Sequence, residues 1–167
     1  MYRRILVPTD GSEISAVVTE AAIAFAKVCG SELIALSVVQ PEPVFQSAEG
    51  ASVLSGAGHD VLMADAQEYV GRIAEEAAKA GLQCTTVTCY GFSPADEIVD
   101  AVVRTGSDLI FIASHGRRGL SRLIAGSVTQ RVLAYSPVPV MVYRPQLPDT
   151  RAHPARQQAA AAAPAPA

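Results

Sequence analysis

Asp108–Ser127 reads D-L-I-F-I-A-S-H-G-R-R-G-L-S-R-L-I-A-G-S. Asp108–Ile112 is a short apolar run. It gives way to a glycine-bearing loop, and the loop leads into a helix beginning near Ser127. Strand, glycine loop and helix start make a suitable chassis for an anion. The first N–H groups of a helix lack main-chain partners and carry partial positive charge. Glycine lets the main chain approach a ligand closely.

The same alternation runs outward in both directions. Arg4–Val7 is a buried-strand candidate ended by Pro8. Ile14, Val17, Ala21, Phe25 and Val28 recur at helical spacing before Gly30. Glu32–Val39 reads as a strand. A Gly/Ser/Ala-rich connection then runs from Pro41 through Gly50, Gly56 and Gly58, either a lid or an ordinary surface loop. Leu62, Ala66, Tyr69, Val70, Ile73 and Ala77 form a helical stripe that stops at Gly81. Gln83–Cys89 is rich in β-branched residues. Ser93, Pro94 and Asp96 mark the cap, first position and capping-box acid of a helix reaching Thr105. Ser127–Tyr135 is a last helix, stopped by Pro137, and Val138–Tyr143 a last strand. The order β-α-β-α-β-α-β-α-β predicts one α/β domain, a five-stranded parallel sheet with helices on both faces. Ligands of such sheets sit at the carboxyl ends of strands where the strand order reverses. From Pro145 to Ala167 the chain is Ala-, Pro- and Gln-rich and has little to bury, so it reads as a disordered tail on a domain spanning 1–144.

Composition narrows the class. The chain has 167 residues, 50% hydrophobic and 17% charged, with a formal net charge of −3. That balance suits a globular core and leaves no basic footprint for nucleic acid or an anionic membrane. The N-terminus enters a strand directly, and no run is long enough to span a bilayer, so a cytoplasmic protein is expected. Cys29, Cys84 and Cys89 contain no C-x-x-C and read as free thiols. Cys84 and Cys89 have odd spacing on one strand and point to opposite faces.

Candidate chemistry gathers at two strand ends. Asp10, after Pro8 and Thr9, can accept hydrogen bonds from ribose hydroxyls. Asp10-Gly11-Ser12 also reads as a plain turn before a helix, with Asp10 or Ser12 as its cap. Gly116, Gly126 and Ser127 can meet phosphate, yet Ser127 and Gln130 also spell a capping box that needs no ligand. Arg117 and Arg118 reach either a polyphosphate or water, and His115 has no visible acid or nucleophile partner. No catalytic residue and no metal-ligand pattern emerges. The chain has no G-x-x-x-x-G-K-[ST], no G-x-G-x-x-G after the first strand and no G-x-S-x-G. These absences favour holding a nucleotide over turning it over quickly.

Over residues 2–144 the chain resembles the universal stress protein family. Its ATP-binding branch carries G-x-x-G, nine residues, then G-[ST]; here Ala113-x-x-Gly116, nine residues, Gly126-Ser127 stand in those places. V-P-T-D after the first strand and the closing P-V-P-V-M-V-Y are similar too. The resemblance implies a Rossmann-like sheet of the adenine nucleotide alpha hydrolase kind. It also implies a homodimer through the last strand and ATP held between the first and fourth strand ends, with magnesium. Asp10 would meet the ribose. Pro8, Thr9, Val38 and Ile112 would line the adenine side, and Gly116, Gly126, Ser127 and Val128 would hold the phosphates. Ala113 replaces the motif's first glycine, and its methyl would restrict φ or crowd a phosphate. A dimeric interaction protein with no nucleotide is the alternative. A slow ATPase or autokinase, with Ser127 and His115 as first candidates, is a further one.

Overall fold

The computed structural model describes residues 1–41, 56–114 and 126–145, with the side chains of 56–57 left out. Five strands and four helices alternate: β1 (Arg4–Thr9), α1 (Glu13–Cys29), β2 (Glu32–Val39), α2 (Gly56–Lys79), β3 (Cys84–Tyr90), α3 (Pro94–Thr105), β4 (Leu109–Ala113), α4 (Ser127–Tyr135) and β5 (Val140–Tyr143). All strand pairings are parallel, and the order across the sheet is β3-β2-β1-β4-β5. The expected sheet, covered on both faces, is therefore present.

The two-residue period of the strands divides the core. Ile5, Val7, Leu33, Leu109, Phe111 and Ala113 face α1 and the end of α2. Ala35 joins Val70 and Ile73 of α2 on that side. Leu6, Ile34, Leu36, Ile110 and Ile112 face α3 and α4. Ile5, Leu6, Leu33, Leu36 and Ile110 are wholly excluded from solvent. Each stabilises the fold by about 1.5–3 kcal/mol relative to an exposed side chain. Cys84 packs with the α1/α2 side and Cys89 with the α3/α4 side, as their spacing predicts.

Several boundaries differ from expectation for local reasons. Pro8 does not end β1; the strand continues to Thr9 along β2. On the other flank β1 pairs with β4 only through Ile5↔Leu109 and Leu6↔Ile110. Pro8, with no N–H to give, falls where that second ladder has already stopped. α2 begins at Gly56 and takes in Gly58, both expected in the loop. β5 begins at Val140 because Ser136 Oγ bonds the N–H and C=O of Val138, folding Ser136–Val138 into a turn.

The buried face of α1 is also not the expected stripe. Ser15, Val18, Thr19, Ala22 and Ala26 are buried, whereas Val28 is 81% exposed. Small side chains let the helix lie close to the sheet. The bulkier Ile14, Ile23 and Phe25 fill the flanks. The ends of α1 are well specified: Ser12 caps the start and Gly30, at φ 66°, closes the end. At the amino edge of the sheet the Asp108 carboxylate accepts the amides of Arg3 (3.1 and 2.8 Å) and Arg4 (3.0 Å), tying β4 to β1.

Candidate functional site

The strand order reverses between β1 and β4, which lie side by side. Their ladder ends at Leu6↔Ile110, three residues before each strand ends. The carboxyl ends therefore part, and Pro8, Thr9 and Asp10 stand on one side of the opening with Ile112, Ala113 and Ser114 on the other.

Ile112, Val38 and Val128 all belong to the α3/α4 side of the core. Ile112 is buried, and Val38 and Val128 are half-buried. They form an apolar floor below the strand ends. Thr9 turns the other way, and its hydroxyl donates to Ser15 Oγ at 3.2 Å. Asp10 Oδ1 accepts the amide of Ser12 at 3.1 Å and its hydroxyl at 2.6 Å. Asp10 thus shapes the turn, while Ser12 is the cap of α1 and accepts the Ser15 amide at 3.3 Å. The two sequence readings of this turn are compatible: Ser12 caps, and Asp10 is held in place beside it.

The start of α4 stands over the β4 end. The Gly126 amide donates to Ser114 O at 2.8 Å and Thr129 Oγ1 donates to Ala113 O at 2.9 Å. The helix cap is Gly126 rather than Ser127, and among the described residues no side chain caps the helix. Ser127 is the first helical residue and is exposed. This removes the alternative reading of Ser127–Gln130 as a capping box: Ser127 stands one position too far along to serve as the cap. An uncapped helix start beside a parted pair of strand ends can accept an anion.

Ala113 sits at the end of β4, paired with Tyr143. Its methyl lies in the α1-side core, 8% exposed, and no non-glycine residue among those described has a positive φ. The methyl therefore strains nothing at its own position and points into packed side chains. Gly116, with His115, Arg117 and Arg118, lies outside the described residues.

Other chemistry is sparse. Burial pushes the Cys84 thiol up, and at Cys89 burial is reinforced by the Glu97 carboxylate, so neither thiol is an activated nucleophile. Among the described residues no group of three or more His, Cys, Asp or Glu could hold a metal ion. No helix among them is long and apolar enough to cross a membrane. Sequence reasoning placed Tyr69 only in a helical stripe. In the structure it also borders a hollow with Thr9, Gly11, Ser12, Ser15 and Arg72. Its stripe spacing is satisfied by Ala66, Val70, Ile73 and Ala77 without it, and that was its only signal.

A family model described as the universal stress protein family matches residues 1–144. A universal stress protein of Methanocaldococcus jannaschii is 34% identical over 145 residues, covering 86% of this chain and 83% of the relative. The solved structure of universal stress protein UspA from Lactobacillus plantarum superposes with a TM-score of 0.73 at 26% identity, covering 86% of this chain and 98% of that one. A family protein from Arabidopsis thaliana, solved with AMP bound, superposes with a TM-score of 0.64 at 18% identity, covering 92% and 98%.

Proposed function

The chain belongs to the universal stress protein family, and from that premise we propose that it is a cytoplasmic stress-response protein that binds ATP as a sensor or regulator rather than as a fast enzyme. One observation carries the reading: the helix start at Gly126–Ser127 has no side-chain cap among the described residues and stands on the β4 end, next to the parted β1 end that bears Asp10. The Gly126 amide is taken by Ser114 O, and the next amides, of Ser127 and Val128, suit phosphate; the carboxylate of Asp10 suits ribose hydroxyls, and the apolar floor of Val38 and Ile112 suits a base. Pro8 and Val128 complete the walls, Thr9 offers only its main chain because its side chain is turned to Ser15, and Gly116 is assigned to the phosphate loop. The AMP bound by the Arabidopsis protein is in keeping with an adenine nucleotide.

Magnesium would enter as the counter-ion of the triphosphate, held chiefly by phosphate oxygens, and would supply charge neutralisation there. The chain's own residues bind and orient the nucleotide. Burial raises both strand thiols and no base is paired to Ser127 among the described residues, so those residues offer no machinery for rapid turnover. A scaffold with a closed pocket would be favoured if the Ala113 methyl faced the opening, but that methyl lies in the core. A homodimer through β5 completes the proposal.

Ser127→Asp tests the reading. A carboxylate in the first turn favours the α4 dipole and repels phosphate. In calorimetric titration with magnesium–ATP, the wild type should bind and the variant should lose at least about tenfold in affinity, with its melting temperature unchanged or raised. Equal affinity in both proteins, or no binding by the wild type, would overturn the proposal.

A further inference from the structure

One close contact beside the proposed nucleotide site plays no part in that account. Gly11, the residue after Asp10, has φ +74°, and a methyl built on it would lie 2.5 Å from Cε1 and Cζ of Tyr69 and 2.7 Å from Cδ1. The ring is therefore laid against the main chain of the β1–α1 turn. No side chain larger than hydrogen fits between them.

Local bonds shape this turn. Asp10 Oδ1 accepts from Ser12, the Gly11 amide donates to Thr9 Oγ1 at 3.2 Å, and Thr9 Oγ1 donates to Ser15 Oγ. They fix the turn relative to α1. Tyr69 adds a brace from a different element. Its neighbours Ala66, Val70 and Ile73 are 2%, 2% and 4% exposed, so α2 is firmly seated beneath it. Packed interiors transmit such constraints with little give. A flat ring across a glycine at positive φ holds the turn from the side opposite the Val38–Ile112 floor.

We propose that Tyr69 is a positioning residue for sugar recognition: its ring pins the Gly11 turn and thereby aims the Asp10 carboxylate at the ribose. This rests on the ATP reading above. It adds a specificity element from α2, outside both strand-end motifs.

The test compares ATP with 2′-deoxy-ATP and 3′-deoxy-ATP by calorimetry, with Asp10→Asn as the reference for lost ribose recognition. The wild type should prefer ATP over at least one deoxy form by about tenfold, the size of one hydrogen bond to a charged group. Tyr69→Phe should keep that preference. Tyr69→Leu, which keeps bulk but not the flat ring, should lose most of it while binding the same deoxy nucleotide within about twofold of wild type. Tyr69→Ala should do the same; because it opens a cavity beside α2, Tyr69→Leu decides. Amide exchange read without ligand supplies a second measure: the Ser12 N–H should exchange faster in Tyr69→Leu than in Tyr69→Phe. Full ATP preference in Tyr69→Leu, or equal Ser12 exchange, overturns this inference and leaves ATP binding standing. A wild type that binds no ATP, or binds it without ribose preference, overturns it from the other side.

Discussion

At the scale of single residues, contacts at opposite ends of β1 hold it in register. At the amino end, burial alone would raise the Asp108 carboxyl, but the amides of Arg3 and Arg4 outweigh it, and the pKa lies below the ordinary value of 3.8. A depressed folded-state pKa means the charged form stabilises the fold above the unfolded value. That contribution is fully present above about pH 5 and is lost as pH falls through the folded value. Asp108→Ala should therefore lower stability at pH 7 by about 1 kcal/mol, a modest figure because water reaches the group. The gap to wild type in urea melts should narrow below about pH 4; a gap independent of pH would contradict the assignment. At the carboxyl end Gly11 offers a paired comparison with Gly30. Both have positive φ, but a methyl on Gly30 meets nothing within 4 Å, whereas one on Gly11 meets the Tyr69 ring. Gly30→Ala should cost about 1 kcal/mol from backbone strain alone. Gly11→Ala should cost at least about 1 kcal/mol more, since the ring must move. Equal losses in chemical denaturation would mean the ring yields freely.

At the scale of elements, legibility followed how unevenly each segment distributes its apolar residues. α3 was plain because Ser93, Pro94 and Gly106 punctuate it, and Ser93 Oγ does accept the Asp96 amide. The α2 stripe was plain because charged residues separate its apolar positions. α1 and its Gly30 stop are legible but its buried face is not, because Val17, Val18, Ala21, Ala22, Ile23, Phe25 and Ala26 surround the helix, so period alone does not select a face. What selects it is distance to the sheet, which favours Ala22 and Ala26 over Phe25. Overpacking that seam with Ala26→Leu should cost about 1–3 kcal/mol, whereas Val28→Glu, on the expected but exposed stripe, should change stability by less than about 0.5 kcal/mol. Thermal unfolding of the two variants decides between the faces. The span Ser127–Tyr135 is legible for α4, but its cap is not, because Ser-x-x-Gln marks a capping box only if the serine itself is the cap. The strand end leaves that place to Gly126, whose amide is drawn to Ser114 O.

At the scale of the molecule, the alternation of elements implied a parallel sheet but not its order. That β1 and β4 are neighbours, bringing Asp10 toward the Gly126–Ser127 helix start, depends on crossovers that no local pattern records. Order also decides which strands are edges. β3 and β5 are the edges, and on β5 the pairing with β4 fixes what faces outward. Ile110 and Ser114 donate to the carbonyls of Pro139 and Tyr143. Main-chain groups alternate sides along a parallel strand, so Val140 and Val142 turn their N–H and C=O groups away from the sheet. Among the described residues these groups have no partner, and they sit on a short apolar strand, V-M-V-Y, the kind of edge that invites pairing with another copy. Val142→Pro removes an outward donor and leaves the Ile110 and Ser114 bonds to β5 in place. An edge position tolerates proline better than a central one. If two copies join through β5, two-fold symmetry makes the lost donor count twice, and dimer affinity should fall by at least about a hundredfold. Sedimentation should then show a dimer for the wild type and a monomer for Val142→Pro. ATP affinity should stay close to wild type, because every residue assigned to the nucleotide lies within one chain. A monomeric wild type, or an undisturbed dimer in the variant, would place the contact elsewhere.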